Sequence, residues 1–257
     1  MTTRIDINTH NQYNSPGVTR GDLKTDAIEQ LTSWFEHAVK NGVPEPEAVN
    51  LSTVDSNGLP DSRVVLSKSI NRLGVSFYTN YNSSKGREIS ANPFGALTYH
   101  WRYPHSQNND GETQRQVRLR GRIVKSPLLE SREYFHSRSE ESRLGAYASK
   151  QSSILKPHSE NDDGRDTLQS RLKDAREKYK GDDIPLPEFW GGYILVPFQI
   201  EFWSGRPSRL HDRFLYSRPL EQLQLQLPKD AITPIEDVDR MADELVNHTW
   251  SIDRLSP

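Results

Sequence analysis

Within residues 200–216, which read IEFWSGRPSRLHDRFLY, Arg209, His211 and Arg213 stand at every second position. On a β-strand that spacing sends all three side chains to one face, with roughly 6.6 Å between neighbours. Trp203 lies upstream at the same parity, beyond a Gly205-Arg206-Pro207-Ser208 stretch that predicts a turn. Guanidiniums pair with phosphate or carboxylate and an indole stacks on a ring, so this face suits a planar, anionic ligand. The same charges also describe the solvated outer face of a strand.

A second set lies in residues 128–148. Tyr134, Arg138 and Ser142 recur at i, i+4 and i+8, which on one continuous helix forms a stripe. A phenol, a guanidinium and a hydroxyl in a row are donors suited to a phosphate. The competing reading is a helix that breaks near 137–139, which makes the stripe a coincidence. A third set opens the short helix predicted within residues 80–92. Ser83 or Ser84 caps it and Lys85 sits in the first turn, where free backbone N–H groups collect anions; a solvated charged helix is the plain alternative. Arg63 and Lys68 fall on one predicted strand at opposite parity and face different surroundings unless a bulge intervenes.

Composition narrows the chemistry. The 257 residues contain no cysteine, which excludes disulfides, thiolate metal sites and a cysteine nucleophile; no metal centre is expected. A formal charge of −2 gives no overall pull towards nucleic acid or an anionic membrane. The basic strand RQVRLRGRIVK (115–125) could touch RNA, but no aromatic platform is interleaved with it, and an exposed barrel strand is the expectation. No apolar run reaches the 18 or so residues of a membrane span, and MTTRIDINTH lacks a hydrophobic signal core. A soluble, cytoplasmic protein is expected, with neither nucleic acid nor membrane as partner.

The elements that must position these residues follow in order. Residues 1–22 read as a flexible polar arm in which Tyr13 is an isolated aromatic. Asp26 caps a helix whose stripe is Ile28, Leu31, Phe35 and Val39, stopped by Asn41-Gly42. Strands are predicted over 48–54, 62–70 and 75–79, joined by turns at 55–58 and 71–74. Further strands cover 94–101 and 115–125 around a polar tip at 102–112. After the helix at 128–148 come a polar turn with Gln151-Ser152, a loop over 155–166 and a charged helix over 168–179. Strands at 193–196 and 199–203, a helix within 223–247 and a last strand at 250–255 complete the chain. The pattern predicts one mainly β (α+β) barrel domain over 23–257 with peripheral helices.

A series of short blocks, in order along nearly the whole chain, resembles the pyridoxamine 5'-phosphate oxidase family. They are RVVLSK (63–68), FYTN (77–80), SSKG (83–86), RQV (115–117), YFHSR (134–138), SKQSS (149–153), WGGY (190–193), residues 200–216 and WSIDRLSP (250–257). The resemblance implies an FMN-binding split β-barrel, working as a homodimer with flavin at the subunit interface. It implies oxidation of pyridoxamine or pyridoxine 5'-phosphate to pyridoxal 5'-phosphate, with O2 as acceptor and hydrogen peroxide as product. By resemblance, flavin contacts come from Arg63, Val65, Leu66, Lys68, Tyr78, Thr79, Lys85, Gln116, Gln151, Ser152, Trp203 and Arg213. Substrate contacts come from Lys68, Tyr134, Arg138, Ser142, Arg209 and His211, with Tyr13 closing over the site. Arg209 and His211 are the expected catalytic pair, nearest the reacting carbon.

Three positions depart from the family pattern. Ser84 stands where the family carries Arg, which removes a charge-assisted hydrogen bond worth on the order of 1.5–3 kcal/mol. Ser67 replaces an apolar residue, and His10, Asn11 and Gln12 replace basic residues before the N-terminal Tyr. Two other function classes fit less of the chain: a non-catalytic flavin- or pyridoxal-phosphate-binding module on the same barrel, and an RNA-binding barrel. The insertions at 102–112 and 223–247 are expected at hairpin tips.

Overall fold

The computed structural model describes residues 13, 15, 17–104, 112–157, 162–181, 183–221, 227, 234–246 and 249–257. Among these, the strands are β1 (Ala48–Val54), β2 (Pro60–Ile70), β3 (Val75–Asn80), β4 (Phe94–Pro104), β5 (Glu112–Lys125), β6 (Trp190–Ser204), β7 (Asp212–Ser217) and β8 (Ser251–Arg254). They form one sheet in the order β3-β2-β1-β4-β5-β6-β7-β8, and a further β3–β6 pairing closes the first six into an antiparallel barrel. The split-barrel α+β expectation holds. Closure follows from alternation: Val117 and Leu119 of β5 point inward and are fully buried, while Arg118 and Arg120, alternating with them, face out. Leu51, Phe77, Leu97, Tyr99, Trp101 and Phe202 fill the barrel from the other strands.

Strand β6 corrects one expectation. It runs unbroken through Pro197 and Phe198, where two strands were predicted. The sheet absorbs the proline by a register shift opposite Arg120 and Gly121. The Pro197 and Phe198 carbonyls are taken up by Arg218, through Nε at 2.8 Å and its backbone N–H at 3.0 Å. At Gly121 an added Cβ would stand 2.3 Å from the Val196 carbonyl oxygen, so only glycine allows this approach.

The helices are α1 (Ala27–Lys40), α2 (Ser84–Ala91), α3 (Leu128–Ser137), α4 (Glu140–Ala148), α5 (Arg165–Lys178) and α6 (Val238–Val246). Asp26 caps α1 as predicted, accepting from the N–H groups of Ile28 and Glu29. Its buried stripe is Ile28, Leu31, Trp34 and Ala38; Phe35 only flanks it and Val39 is exposed, so the predicted stripe drifts off the core face after Leu31. A spacing of i, i+3, i+7 and i+11 rotates slowly around a helix of 3.6 residues per turn.

The continuous helix predicted over 128–148 is two. Arg138 and Ser139 are both extended, with ψ of 153° and 150°, and Ser139 caps α4 by accepting from the Ser142 N–H at 3.3 Å. A serine followed by Glu140 and Glu141 is a helix-start signal, and here it wins over propagation. Helices α3, α4 and α5 pack Phe135, Leu144 and Ala175 around Trp190 at one end of the barrel, and α6 covers Leu73, Val124 and Ile194. No helix among the described residues is long and apolar enough to cross a membrane. Residues 1–12, most of the predicted arm, and 105–111, the tip of the β4–β5 hairpin, lie outside the described residues.

Candidate functional site

Strands β2 and β3, the first turn of α2 and the α3–α4 corner enclose a cleft of about 510 Å³. Arg63, Val65, Leu66, Lys68, Tyr78, Thr79, Lys85, Tyr134, Arg138, Ser142 and Gln151 all line it. The helix break therefore does not scatter Tyr134, Arg138 and Ser142. The corner folds them around one volume. Arg63 and Lys68 likewise reach the same cleft despite opposite parity, because the β2–β3 register shifts between Ser67 and Ser69. Ser67 earns its polarity there: its hydroxyl donates to the Glu47 carbonyl at 3.0 Å.

Arg63 is held by neighbouring elements and Lys85 by burial. Arg63 reaches Glu88 of α2 at 2.9 Å and Asp61 at 2.6 Å, and it also donates to the Thr53 hydroxyl. Lys85 is buried; desolvation, then the Arg63 charge, push its pKa below the ordinary lysine value. Ser84, which lacks the family's cation, accepts instead from Arg87 Nη2 at 3.2 Å. Gln151 accepts from the Thr79 hydroxyl at 2.9 Å through Oε1, which fixes its carboxamide.

An aromatic stack walls the far side. Tyr78 lies on Tyr134 with ring centroids 4.0 Å apart, and on Trp190 at 5.7 Å. Burial pushes the Tyr78 phenol up to about 12, so it stays protonated and can only donate or accept a neutral hydrogen bond. Arg138 spreads over the Trp190 ring at 4.8 Å, and its Nη1 is buried with no hydrogen-bond partner among the described residues. Leaving a buried guanidinium N–H unpaired is costly, and an anionic ligand would satisfy it. The donor set therefore fits a phosphorylated ligand, and the ring stack fits a flat one.

The N-terminus of α2 tolerates no extra bulk. A Cβ on Gly86 would stand 2.0 Å from the Tyr81 carbonyl oxygen, inside backbone rather than a movable side chain. Gly86→Ala is expected to displace α2 and Lys85 with it, at about 1–3 kcal/mol of overpacking. A fall in thermal midpoint checks this, and an unchanged midpoint would mean α2 can slide freely.

The remaining predicted residues form a second group elsewhere. Gln116, Trp203 and Arg213 sit in one register row across β5, β6 and β7, on the face opposite the buried row Val117, Phe202 and Phe214. Trp203, His211 and Tyr13 cluster, with centroids 4.7 Å apart for Trp203–His211, 5.2 Å for Tyr13–His211 and 5.6 Å for Tyr13–Trp203. Gly205 makes room for Tyr13, since a Cβ there would meet its ring at 2.9 Å.

The strand expected to carry Arg209, His211 and Arg213 on one face is also corrected. Only Arg213 lies on β7; Arg209 ends a 3₁₀ turn, Pro207–Arg209, and His211 follows it. Ser208 and Arg209 have φ of +57° and +61°, the left-handed region that non-glycine residues rarely adopt. Such strain at two consecutive residues marks a loop held in place by its surroundings. Part of that hold is the Arg206 N–H, which donates to His211 Nδ1 at 3.1 Å. The imidazole is thereby neutral and carries its proton on Nε2. Burial first, then the charges of Arg209 and Arg213, lower the His211 pKa below the ordinary 6.5.

The two groups do not meet within one protomer. Gln116, Trp203, Arg209, His211, Arg213 and Tyr13 are all absent from the cleft lining. Trp190 at the cleft and Trp203 in the second group begin and nearly end β6, which separates them by roughly 40 Å along the strand at 3.3 Å per residue. Ser152 is exposed in a turn with φ +68° and also stays out of the lining. Sequence reasoning missed Trp190 and Glu88 as members of the site. Trp190 stood in a quoted motif and could have been found; nothing local distinguishes Glu88.

Comparison with known proteins bears on the same residues. Residues 35–178 match the family model described as pyridoxamine 5'-phosphate oxidase, and residues 190–257 match that of the pyridoxine 5'-phosphate oxidase C-terminal dimerisation region. A pyridoxine/pyridoxamine 5'-phosphate oxidase of Burkholderia multivorans is 40% identical over 257 residues, covering 100% of both chains. One from Paraburkholderia phytofirmans is 43% identical over 217 residues, covering 84% of this chain and 94% of its own. Among solved structures, PhzG from Burkholderia lata in complex with tetrahydrophenazine-1-carboxylic acid superposes with a TM-score of 0.71 at 25% identity, over 95% of this chain and 99% of that one.

Proposed function

The chain belongs to the pyridoxamine 5'-phosphate oxidase family, and from that premise we propose that it is an FMN-dependent oxidase. It converts pyridoxamine and pyridoxine 5'-phosphate to pyridoxal 5'-phosphate, with O2 as acceptor and hydrogen peroxide as product. The observation that carries this reading is the buried, unpartnered Arg138 Nη1, in a cleft lined also by Lys68, Tyr134 and Ser142. These four residues are donors to a substrate phosphate. Arg63 and Lys85, with Val65, Leu66, Tyr78, Thr79 and Gln151 along the same cleft, hold FMN beside it.

The match of residues 190–257 to a dimerisation region supports a homodimer. In our reading, the second group of one protomer completes the cleft of its partner. Gln116, Trp203 and Arg213 then meet the flavin, with Ser152 at its edge, and Tyr13 closes over the substrate. We also read residues 23–257 as one domain behind an N-terminal arm, because β6 pairs with both β3 and β5 and so joins the two matched regions in one barrel.

FMN held there would supply the two-electron chemistry, taking up hydride from the substrate and passing the electrons on to O2. The protein's part is to align rings and exclude water. His211, neutral with its proton on Nε2, offers a hydrogen bond to the substrate, and Arg209 adds a positive charge beside it. A neutral His211 has a readable consequence. Its NMR titration midpoint is expected below 6.5, and protonation breaks the bond from the Arg206 N–H. Because the folded pKa is the lower one, the stability His211 contributes is complete above pH 6.5. It is lost as pH falls from there through the folded pKa. A midpoint at or above 6.5 would remove the assigned tautomer.

An anaerobic titration tests the function. Protein loaded with FMN is mixed with pyridoxine 5'-phosphate without oxygen; bleaching of the flavin absorbance that returns on admitting air is the expected result. The likeness to PhzG raises a second reading, oxidation of a phosphate-free, partly reduced ring carboxylic acid. Bleaching by a dihydroaromatic carboxylate, with none by pyridoxine 5'-phosphate, would favour it. A protein that binds FMN and bleaches with neither would leave a binding module.

A further inference from the structure

Glu201 lies on β6 two positions before Trp203 and faces the same way, yet it is only 4% exposed. An outward-facing carboxylate is shut from water because two guanidiniums close over it. Arg118, its direct cross-strand partner on β5, reaches Oε2 at 2.6 Å, and Arg213, diagonal on β7, donates Nε to Oε1 at 2.8 Å. Buried carboxylates are rare unless paired, and this one is paired on both oxygens. On its other side, Arg213 Nη1 donates to the Ser256 carbonyl at 2.7 Å. Two of the three guanidinium nitrogens are thus fixed within the protein. Nη2 makes no hydrogen bond among the described residues, and it belongs to the row that carries Gln116 and Trp203.

We propose that Glu201 is a positioning residue for flavin binding. It anchors the Arg213 guanidinium so that Nη2 is offered to the cofactor in a single orientation, and Arg118, bound to its other oxygen, holds the carboxylate in place. The proposal rests on the assignment of Arg213 to the flavin made above. An arginine with both its Nε and one Nη tied down loses little rotamer freedom on binding a ligand, and that freedom is what an untied side chain would lose. The carboxylate also cancels part of the charge of two neighbouring guanidiniums, which would otherwise repel.

A double-variant cycle tests this, read as the FMN dissociation constant from quenching of flavin fluorescence by the ligand-free protein. Glu201→Gln keeps size and one acceptor but loses the charge, and is expected to weaken FMN binding by about tenfold or more. Arg213→Gln should weaken it at least as much. In the Arg213→Gln background, Glu201→Gln should have no further effect, because its only route to the flavin is gone. Equal losses in both backgrounds would show a general structural role and overturn the proposal. Loss in Arg213→Gln with none in Glu201→Gln would overturn it while leaving Arg213 with the flavin. FMN binding unchanged in Arg213→Gln would overturn the assignment on which the proposal stands. Glu201→Asp, which keeps the charge at a shorter reach, should recover part of the affinity that Glu201→Gln loses.

Discussion

Replacing Arg138 with alanine should raise KM for pyridoxine 5'-phosphate by about 100-fold without lowering the thermal midpoint of the ligand-free protein. The two halves of that result have one cause. Arg138 ends α3, stacks on Trp190 at 4.8 Å, and keeps Nη1 buried without a partner. Burial lowers its pKa, which means that its surroundings in the protein disfavour its charge. Cation–π contact with the indole returns about 1–2 kcal/mol, close to what one unpaired buried donor costs. In the free protein these effects nearly cancel. With a phosphate bound, the orphan gains a charged acceptor and the balance becomes strongly favourable. Steady-state kinetics and a thermal melt of the same variant check both halves. An unchanged KM would remove Arg138 from the phosphate site, and a large fall in midpoint would make it a structural residue.

Arg63→Ala should behave differently, losing flavin affinity and stability together. Arg63 is the hub of a charged knot that ties β1, β2 and α2: Glu88 at 2.9 Å, Asp61 at 2.6 Å and the Thr53 hydroxyl. Its removal takes a cation from beside Lys85, which should weaken FMN binding by about 100-fold. It also takes from Glu88, whose side chain is 11% exposed, its ion-pair partner at 2.9 Å and leaves it the Thr53 hydroxyl, at a cost of up to about 3 kcal/mol. The two losses can be separated. In Arg63→Ala/Glu88→Gln the stranded charge is gone, so the thermal midpoint should recover while FMN affinity stays low. If affinity recovers with the midpoint, Arg63 supports the cleft without touching the flavin.

Much of this molecule was legible in one dimension, and the failures share a cause. Strand β1, the Asp26 cap and the parity of β5 depend on local spacing and capping chemistry, and they stand where the sequence predicts them. What local rules missed depends on a partner strand. The shift at Ser67–Ser69, beside which Lys68 joins the cleft that Arg63 also lines, exists only in the β2–β3 pairing, and the passage of β6 through Pro197 only in its pairing with β5. The break at Arg138 and Ser139 was foreseen as an alternative, but its consequence was inverted: it gathers Tyr134, Arg138 and Ser142 in one cleft. The separation of the site into two groups is set by barrel closure, which no residue spacing records.

That separation has a genetic consequence. If each site takes its cleft from one chain and its Trp203–His211 face from the other, two impaired variants can repair each other. Arg138→Ala damages only the first contribution of a chain, and His211→Ala only the second. A dimer with one of each has a doubly damaged site and an intact one. Random mixing of the two should therefore restore about a quarter of wild-type sites, in a protein where neither parent has any. Two chains, each damaged in a different half of the site, would together rebuild a whole one.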